Sequence, residues 1–303
     1  MGAPEILSSR GGSLPGFIHA RELSIGYGKP LMENLDFTIG KGEVFLILGG
    51  SGTGKSTLLK TLFGRLAPLA GSVEIAGVGD PARLQGHRPR FGVSFQGGAL
   101  FGSLTIAQNV ALPLEQWTSL DARTIAGIVD GKLRLVGLEG AGDRLPSELS
   151  GGMQKRAGIA RALALENDLL FLDEPSAGLD PITSSELDDL LIALNRSLGL
   201  TLVIVTHELE SIFKIGTRAI LLDRKTRGIV ADGDPRVLRD ESFDPRVRAF
   251  FHRESVSGRR EAQTDSVQGE LLSSTPRPQP AEEPFTKDLP PIVREDPFRG
   301  EYL

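Results

Sequence analysis

The sequence predicts an α/β protein built on a largely parallel central sheet, with a helical region inserted into it. From about Phe17 to Phe251, short apolar runs of strand length alternate with stretches of helical periodicity. That is the pattern of strands joined by crossover helices. Between about Gly98 and Ser150 the strand-like runs stop and helical patterns alone remain. The two ends differ from this body. Residues 1–15 are rich in Gly and Ser, and from about His252 the chain shifts to Pro, Ser, Glu and Arg, with seven prolines from Pro276 to Pro297. Such a tail cannot bury a core. The expected organisation is a flexible N-terminus over 1–15, a folded unit over 16–251, and a Pro-rich tail over 252–303, extended or disordered on its own.

Taken in order, the first clear strand is Val44–Leu48, followed after a glycine cluster by a helical stretch over Thr57–Phe63. Helical patterns around Ile106–Leu112 and Arg123–Val136 make up the inserted region. Three further strands are read at Leu169–Leu172, Leu202–Val205 and Ala219–Leu222. Between the first two of these, Leu187, Leu190, Leu191, Leu194 and Leu198 fall on one helical face. Thr183 with Glu186 has capping-box spacing before that helix, and Gly199 stops it. There is no internal repeat.

Composition narrows the function. The chain has 303 residues with 34 basic against 39 acidic side chains, a formal net charge of −5, and no basic stripe. Nucleic acid is therefore not expected as a partner, because gripping a phosphate backbone needs a basic surplus. There is no cysteine, which excludes disulfides, thiolate metal sites and a cysteine nucleophile. His19, His87, His207 and His252 are too scattered for metal-ligand spacing. No apolar run approaches the roughly 20 residues that span a bilayer. The N-terminus lacks a signal-peptide core, and Ile6 stands where N-myristoylation wants Ser or Thr. The chain is expected neither to span a membrane nor to carry its own anchor.

The chemistry begins at Gly49-Gly50-Ser51-Gly52-Thr53-Gly54-Lys55-Ser56, followed by Thr57. This fits G-x-x-x-x-G-K-[ST] in its required setting, after a strand and before a helix. Glycines let backbone N–H groups curl around phosphate oxygens, and the helix N-terminus adds partial positive charge. Lys55 would reach the β- and γ-phosphates, and the Ser56 hydroxyl would hold Mg²⁺. Further on, Leu169–Leu172 runs into Asp173-Glu174. A carboxylate ending a buried strand is costly unless it meets a cation, so Asp173 is placed to hold Mg²⁺ directly or through water. Glu174 is placed to take a proton from water attacking the γ-phosphate. Taken alone, an acidic pair after a strand is more often a loop start; the phosphate loop decides the reading.

Leu149-Ser150-Gly151-Gly152-Met153 then opens a helical run carrying Lys155, Arg156 and Arg161. With LSGG between a phosphate loop and LLFLDEP, the chain resembles the ATP-binding cassette (ABC) ATPases over roughly residues 17–250. The resemblance implies a P-loop NTPase fold with a RecA-like core, an antiparallel β subdomain and a helical signature subdomain at about 98–165. It implies ATP hydrolysis with ATP and Mg²⁺ as ligands. Tyr27 matches the aromatic that stacks on adenine. Gln96 matches the glutamine that approaches Mg²⁺ and the attacking water. Ser150, Gly151 and Gly152 are the signature residues contacting ATP, and Ser176–Asp180 matches the loop at the dimer interface, with Asp180 in the nucleotide-binding set. His207 matches the histidine that contacts the γ-phosphate and orients the nucleophile. Many members have Gln after LSGG, where this chain has Met153. The family sandwiches two ATP molecules between two such domains, so the resemblance implies a dimer, most simply a homodimer.

One cassette, with neither coiled coil nor membrane helices, resembles a separate ATPase subunit docked on an integral membrane permease. Phe95–Leu114, Leu135–Met153, Leu179–Thr183 and Asp244–Phe251 together resemble the ATPase subunits of Mla-type, MCE-associated phospholipid transporters. This implies lipid transport between bacterial membranes and a place on the cytoplasmic face of the inner membrane. An MCE-domain protein and a small STAS-domain subunit are further implied partners. The alternatives are an ATPase for import of a small polar solute, and a mechanical ABC ATPase without cargo. A tail reaching across to the partner ATPase, through Phe285, Phe298 and Tyr302, is a further expectation from the resemblance.

Overall fold

The computed structural model describes residues 16–84 and 86–253. The expectations for residues 1–15 and for the tail beyond Arg253 lie outside the described residues. Two long strands, β1 (Gly16–Tyr27) and β2 (Lys29–Gly40), form an antiparallel pair, and β3 (Val44–Gly49) leads into α1 (Lys55–Leu62). Next come β4 (Ala70–Ile75) and β5 (Gly92–Ser94), then α2 (Ile106–Trp117), α3 (Ala122–Leu135) and α4 (Gly151–Ala162). The second half holds β6 (Leu169–Asp173), α5 (Pro181–Leu198), β7 (Thr201–Val205), α6 (Leu209–Ile215), β8 (Arg218–Asp223), β9 (Gly228–Gly233), α7 (Pro235–Glu241) and α8 (Pro245–His252).

The strands make two sheets. One is three-stranded in the order β2-β1-β4, and the other is six-stranded in the order β5-β6-β7-β3-β8-β9. The larger sheet is parallel except for β9, which runs antiparallel to β8. Strands β3, β6, β7 and β8 are buried on both faces, which is why they read as continuous apolar runs instead of alternating ones. Leu46, Leu48, Leu170, Leu172, Leu202 and Ile204 face a core shared with the helices. Phe45, Ile47, Phe171, Val203 and Val205 face a second core shared with α1 and the antiparallel sheet. Phe63, Phe91 and Phe171 pack there ring against ring, at centroid distances of 5.4–6.4 Å.

The antiparallel sheet is the element least visible in the sequence. β1 and β2 are 12 residues each, and their pairing shifts register several times. Glu22 and Asn34 sit at positive φ, and each such irregularity breaks the period-two alternation that marks a strand.

Two expectations about α5 change. Its N-cap is Asp180, whose Oδ1 accepts from the Ile182 and Thr183 backbone amides at 3.1 and 3.0 Å. Thr183 is therefore in the first turn and is not the cap; Asp followed by Pro181 at the first helical position is the stronger start signal. Leu187, Leu191 and Leu194 are buried, but Leu198 is exposed at the last position of the helix. Gly199 closes the helix at φ 65° as expected. No helix among the described residues is long and apolar enough to cross a membrane.

Candidate active site

The predicted groups lie at the C-terminal ends of neighbouring parallel strands, where open α/β sheets place their ligands. β3 ends in the phosphate loop, β5 runs into Gln96, β6 ends at Asp173, and β7 leads to His207. Register aligns them: Ile47 pairs with Val205, Asp173 with Val205, and Ser94 with Leu172.

The loop from Gly49 to Ser56 is shaped by positions that a side chain could not occupy. Gly49 is at φ 150°, and a Cβ there would lie 2.7 Å from Thr53 Oγ1 and 2.9 Å from the Leu222 carbonyl. Gly54 caps α1 at φ 90°. A Cβ on it would touch Leu31 and Ile25 of the antiparallel sheet, so that sheet seats the loop. Thr53 Oγ1 donates to the Gly50 carbonyl at 3.0 Å, tightening the turn. Gly50, Ser51 and Gly52 remain at the exposed crest. Lys55 Nζ folds back onto the Gly49 and Gly50 carbonyls at 2.9 and 3.0 Å. Burial pushes its ammonium below the ordinary lysine range, and the charges of Glu174 and Asp173 offset part of that. Thr57 is buried in the first turn of α1, its carbonyl bonded by the Thr61 hydroxyl at 3.0 Å.

Ser56 Oγ donates to Asp173 Oδ1 at 3.0 Å, joining the first turn of α1 to the end of β6. A hydroxyl and a carboxylate oxygen brought together are hard donors of the kind Mg²⁺ takes, with phosphate and water completing its shell. The residues present fit that ion.

Glu174 stands one residue past β6 at φ 49°, an uncommon conformation for a non-glycine residue, and its amide donates to the Val205 carbonyl at 2.9 Å. Its side chain is only 12% exposed. His207 Nδ1 lies 2.9 Å from Oε1 and 2.8 Å from Oε2. The one ring nitrogen thus spans both oxygens, and Oε2, which is buried, has no other neighbour to donate to it. A buried carboxylate with so little donation is costly; close to a bound phosphate, it can accept a proton from water. His207 is itself exposed.

The remaining predicted residues lie at the end of β1, just after β5, and at the starts of α4 and α5. Tyr27 closes β1 and is 63% exposed, so it is not a core residue. Gln96 is exposed, with its carbonyl bonded by Lys155 Nζ. Ser150 caps α4, its Oγ accepting from the Met153 amide at 3.3 Å, and Gly151 is exposed beside it. Gly152 is buried, and a Cβ there would lie 2.4 Å from Thr183 Cγ2. Asp180 uses both carboxylate oxygens locally, Oδ2 accepting from the Thr183 hydroxyl at 2.6 Å. Those bonds hold its carboxyl below the ordinary range.

Two side chains that hold the segment from Gln96 to Thr105 had no role assigned from the sequence. Lys155 on α4 bonds the Gln96 carbonyl and reaches the Glu174 carbonyl at 3.5 Å. Asn109 is fully buried and ties Phe101, Leu104 and Thr105 together through their backbones. A lysine three residues past a signature glycine looks like a solvated face, and an Asn in an apolar helix carries no motif; only the fold brings either to the Gln96 loop.

Comparison with known proteins agrees with this geometry. The ABC transporter family matches residues 32–177. The chain is 42% identical over 245 residues to the intermembrane phospholipid transport system ATP-binding protein MlaF of Escherichia coli K12, covering 79% of this chain and 90% of that one. It is 42% identical over 226 residues to the probable ribonucleotide transport ATP-binding protein mkl of Mycobacterium tuberculosis H37Rv, covering 73% of this chain and 62% of that one. Its fold is similar to the dimeric post-hydrolysis structure of the ATP-binding cassette MJ0796 bound to ADP and Pi, with TM-score 0.65, 29% identity, and coverage of 72% of this chain and 98% of that one. The phosphate loop, the carboxylate pair closing β6 and the signature turn, on the cassette fold of these relatives, place this chain in the ABC transporter family as a nucleotide-binding, ATP-hydrolysing subunit.

Proposed function

We propose that this chain is the ATPase subunit of a membrane transporter that moves phospholipid between bacterial membranes. One observation carries the cargo class: 42% identity to the phospholipid-system protein MlaF runs across 90% of that protein. The mkl relatives favour a second reading, import of a polar solute, through the ribonucleotide in their name. The chain spans only 62% of their length, so the first reading is preferred.

The reaction is ATP and water to ADP and phosphate. Backbone N–H groups of Gly50–Ser56 and the α1 N-terminus hold the phosphates. Lys55 Nζ, now on the Gly49 and Gly50 carbonyls, turns to the β- and γ-oxygens. Ser56 and Asp173 would hold Mg²⁺, which would neutralise phosphate charge when bound. The Glu174 carboxylate, buried and approached only by His207 Nδ1, accepts the proton of the attacking water, and His207 keeps that carboxylate oriented. A positioned base contributes roughly 10²–10⁴-fold in rate. Gln96 orients the water, and Tyr27 stacks on adenine. Ser150, Gly151 and Gly152 of a second copy close the site on the γ-phosphate. The complex comprises a homodimer of this chain at the cytoplasmic face of the inner membrane, a permease, an MCE-domain protein and a STAS-domain subunit.

The test is purification of the complex from native membranes in mild detergent, with mass spectrometry of proteins and lipids. A polytopic permease with an MCE-domain protein and bound phospholipid is the expected result. A permease with a soluble-solute binding protein and no enriched lipid would overturn the lipid assignment and leave the ATPase standing.

A further inference from the structure

A lysine ammonium is rarely buried without a carboxylate beside it. Lys155, in the second turn of α4, is only 8% exposed. Its acceptors are two backbone carbonyls, those of Gln96 and Glu174. These carbonyls belong to the two segments that carry the water-facing groups of the site. Burial pushes the ammonium below the ordinary lysine range, and the Glu174 charge offsets only part of that.

Both segments need holding. Glu174 sits at φ 49°, a conformation that persists only where the surroundings enforce it. Its amide is fixed by Val205 O at 2.9 Å, and Lys155 takes its carbonyl. In the Gln96 loop, Ala99 is also at positive φ, 49°. Residues 155, 158 and 161 are three apart and so share one face of α4. Arg161 donates to the Ala99 and Gly98 carbonyls at 2.6 and 3.2 Å. A Cβ on Gly158 would lie 3.1 Å from the Gly98 carbonyl, so the helix and the loop are in backbone contact. One face of the signature helix thus grips residues 96–99, and Lys155 extends the grip to Glu174.

We infer that Lys155 is a positioning residue that locks the Gln96 loop and the Glu174 backbone to the signature helix, so that displacement of α4 moves both water-facing groups together. The signature at the head of α4 would face ATP bound to the second copy. Lys155 therefore links the state of one ATP site to the hydrolytic geometry of the other. The inference rests on the hydrolytic roles proposed above for Gln96 and Glu174.

The test uses the full-length chain with Lys155→Met, which keeps the stem and removes the donors, and Lys155→Gln, which keeps a donor. Hydrogen exchange is followed in peptides covering 95–100, together with melting temperature and the ATPase kcat and KM. For Lys155→Met we expect exchange over 95–100 to rise roughly tenfold at unchanged melting temperature. We expect kcat to fall about 10- to 100-fold, as misplacement by about 1 Å does, with KM within twofold. Lys155→Gln should recover part of both effects. Lys155→Met combined with Gln96→Ala should lose less than the two single losses taken together, since coupled residues are non-additive and only the part acting through Glu174 remains to be lost. Unchanged exchange over 95–100, additive losses, or a melting temperature falling in step with kcat would each overturn the inference. Glu174→Gln is the separate control: if that variant keeps wild-type turnover, the hydrolytic reading falls, whatever Lys155 does.

Discussion

At Ser56 and Asp173, 117 residues apart in the chain, a hydroxyl and a carboxylate meet at 3.0 Å. Neither group holds a cation alone, and the pair makes a site only when phosphate completes it. Ser56→Ala removes one oxygen donor and leaves the glycine loop and α1 intact. The expected result is a rise of about tenfold or more in the Mg²⁺ concentration for half-maximal turnover, the size of effect that losing a support of a metal ligand produces. A melting curve without nucleotide should be unchanged. Titrating Mg²⁺ at fixed ATP checks this, and an unchanged half-saturation point would exclude Ser56 as a ligand. Much at this scale was legible in the sequence, because a phosphate loop is local: Gly49 to Ser56 are contiguous, and their backbone needs write themselves as glycines. The contact of His207 with both oxygens of Glu174 was not legible, since it depends on how His207 approaches from another strand.

The start of α4 packs against the start of α5 at Gly152 and Thr183. Thr183 cannot rotate freely away, because its hydroxyl is bonded to Asp180 Oδ2 at 2.6 Å. A Cβ at position 152 would lie 2.4 Å from Thr183 Cγ2. Gly152→Ala gains at most about 1 kcal/mol of helix propensity but overpacks the contact by about 1–3 kcal/mol. Net destabilisation is expected. Thr183→Ser removes the clashing methyl and keeps the hydroxyl on Asp180. Combined with Gly152→Ala, it should recover most of the loss. Urea unfolding of the three variants checks the sign, and a double variant no better than Gly152→Ala would refute the clash. Element by element, the double-sided strands β3, β6, β7 and β8 were readable because burial on both faces makes unbroken apolar runs. β1 and β2 were not, because bulges erase the alternation. β4 and β5 are too short or too polar to stand out, and they are held by pairing with β1 and β6. The cap of α5 was misplaced by three residues because Thr183 and Glu186 imitate a capping box; Glu186 instead pairs with Arg156 on α4 at 2.9 Å.

The sequence has one phosphate loop and one signature turn, so a second cassette, in the proposal another copy of this chain, is required to complete the proposed sites. Glu174→Gln should bind ATP without hydrolysing it and accumulate as a dimer. Light scattering at saturating ATP and Mg²⁺ is expected to give twice the monomer mass, reverting when nucleotide is removed. A variant that stays monomeric, even with its membrane partner present, would defeat the two-copy site. Contiguous residues carry the reaction class, the strand–loop–helix around the phosphates, and the acidic pair, because the backbone or charge requirements of each leave few alternatives. The tertiary structure alone decided what depends on distant segments meeting. It decided that β5, β6 and β7 lie side by side and bring Gln96, Glu174 and His207 to one edge. It decided that the antiparallel sheet seats the phosphate loop, and that Lys155 reaches backward from the signature helix to two carbonyls. Those contacts are set by sheet order and helix packing, which follow from burying the apolar faces of the whole chain at once and leave no mark in any short stretch of residues.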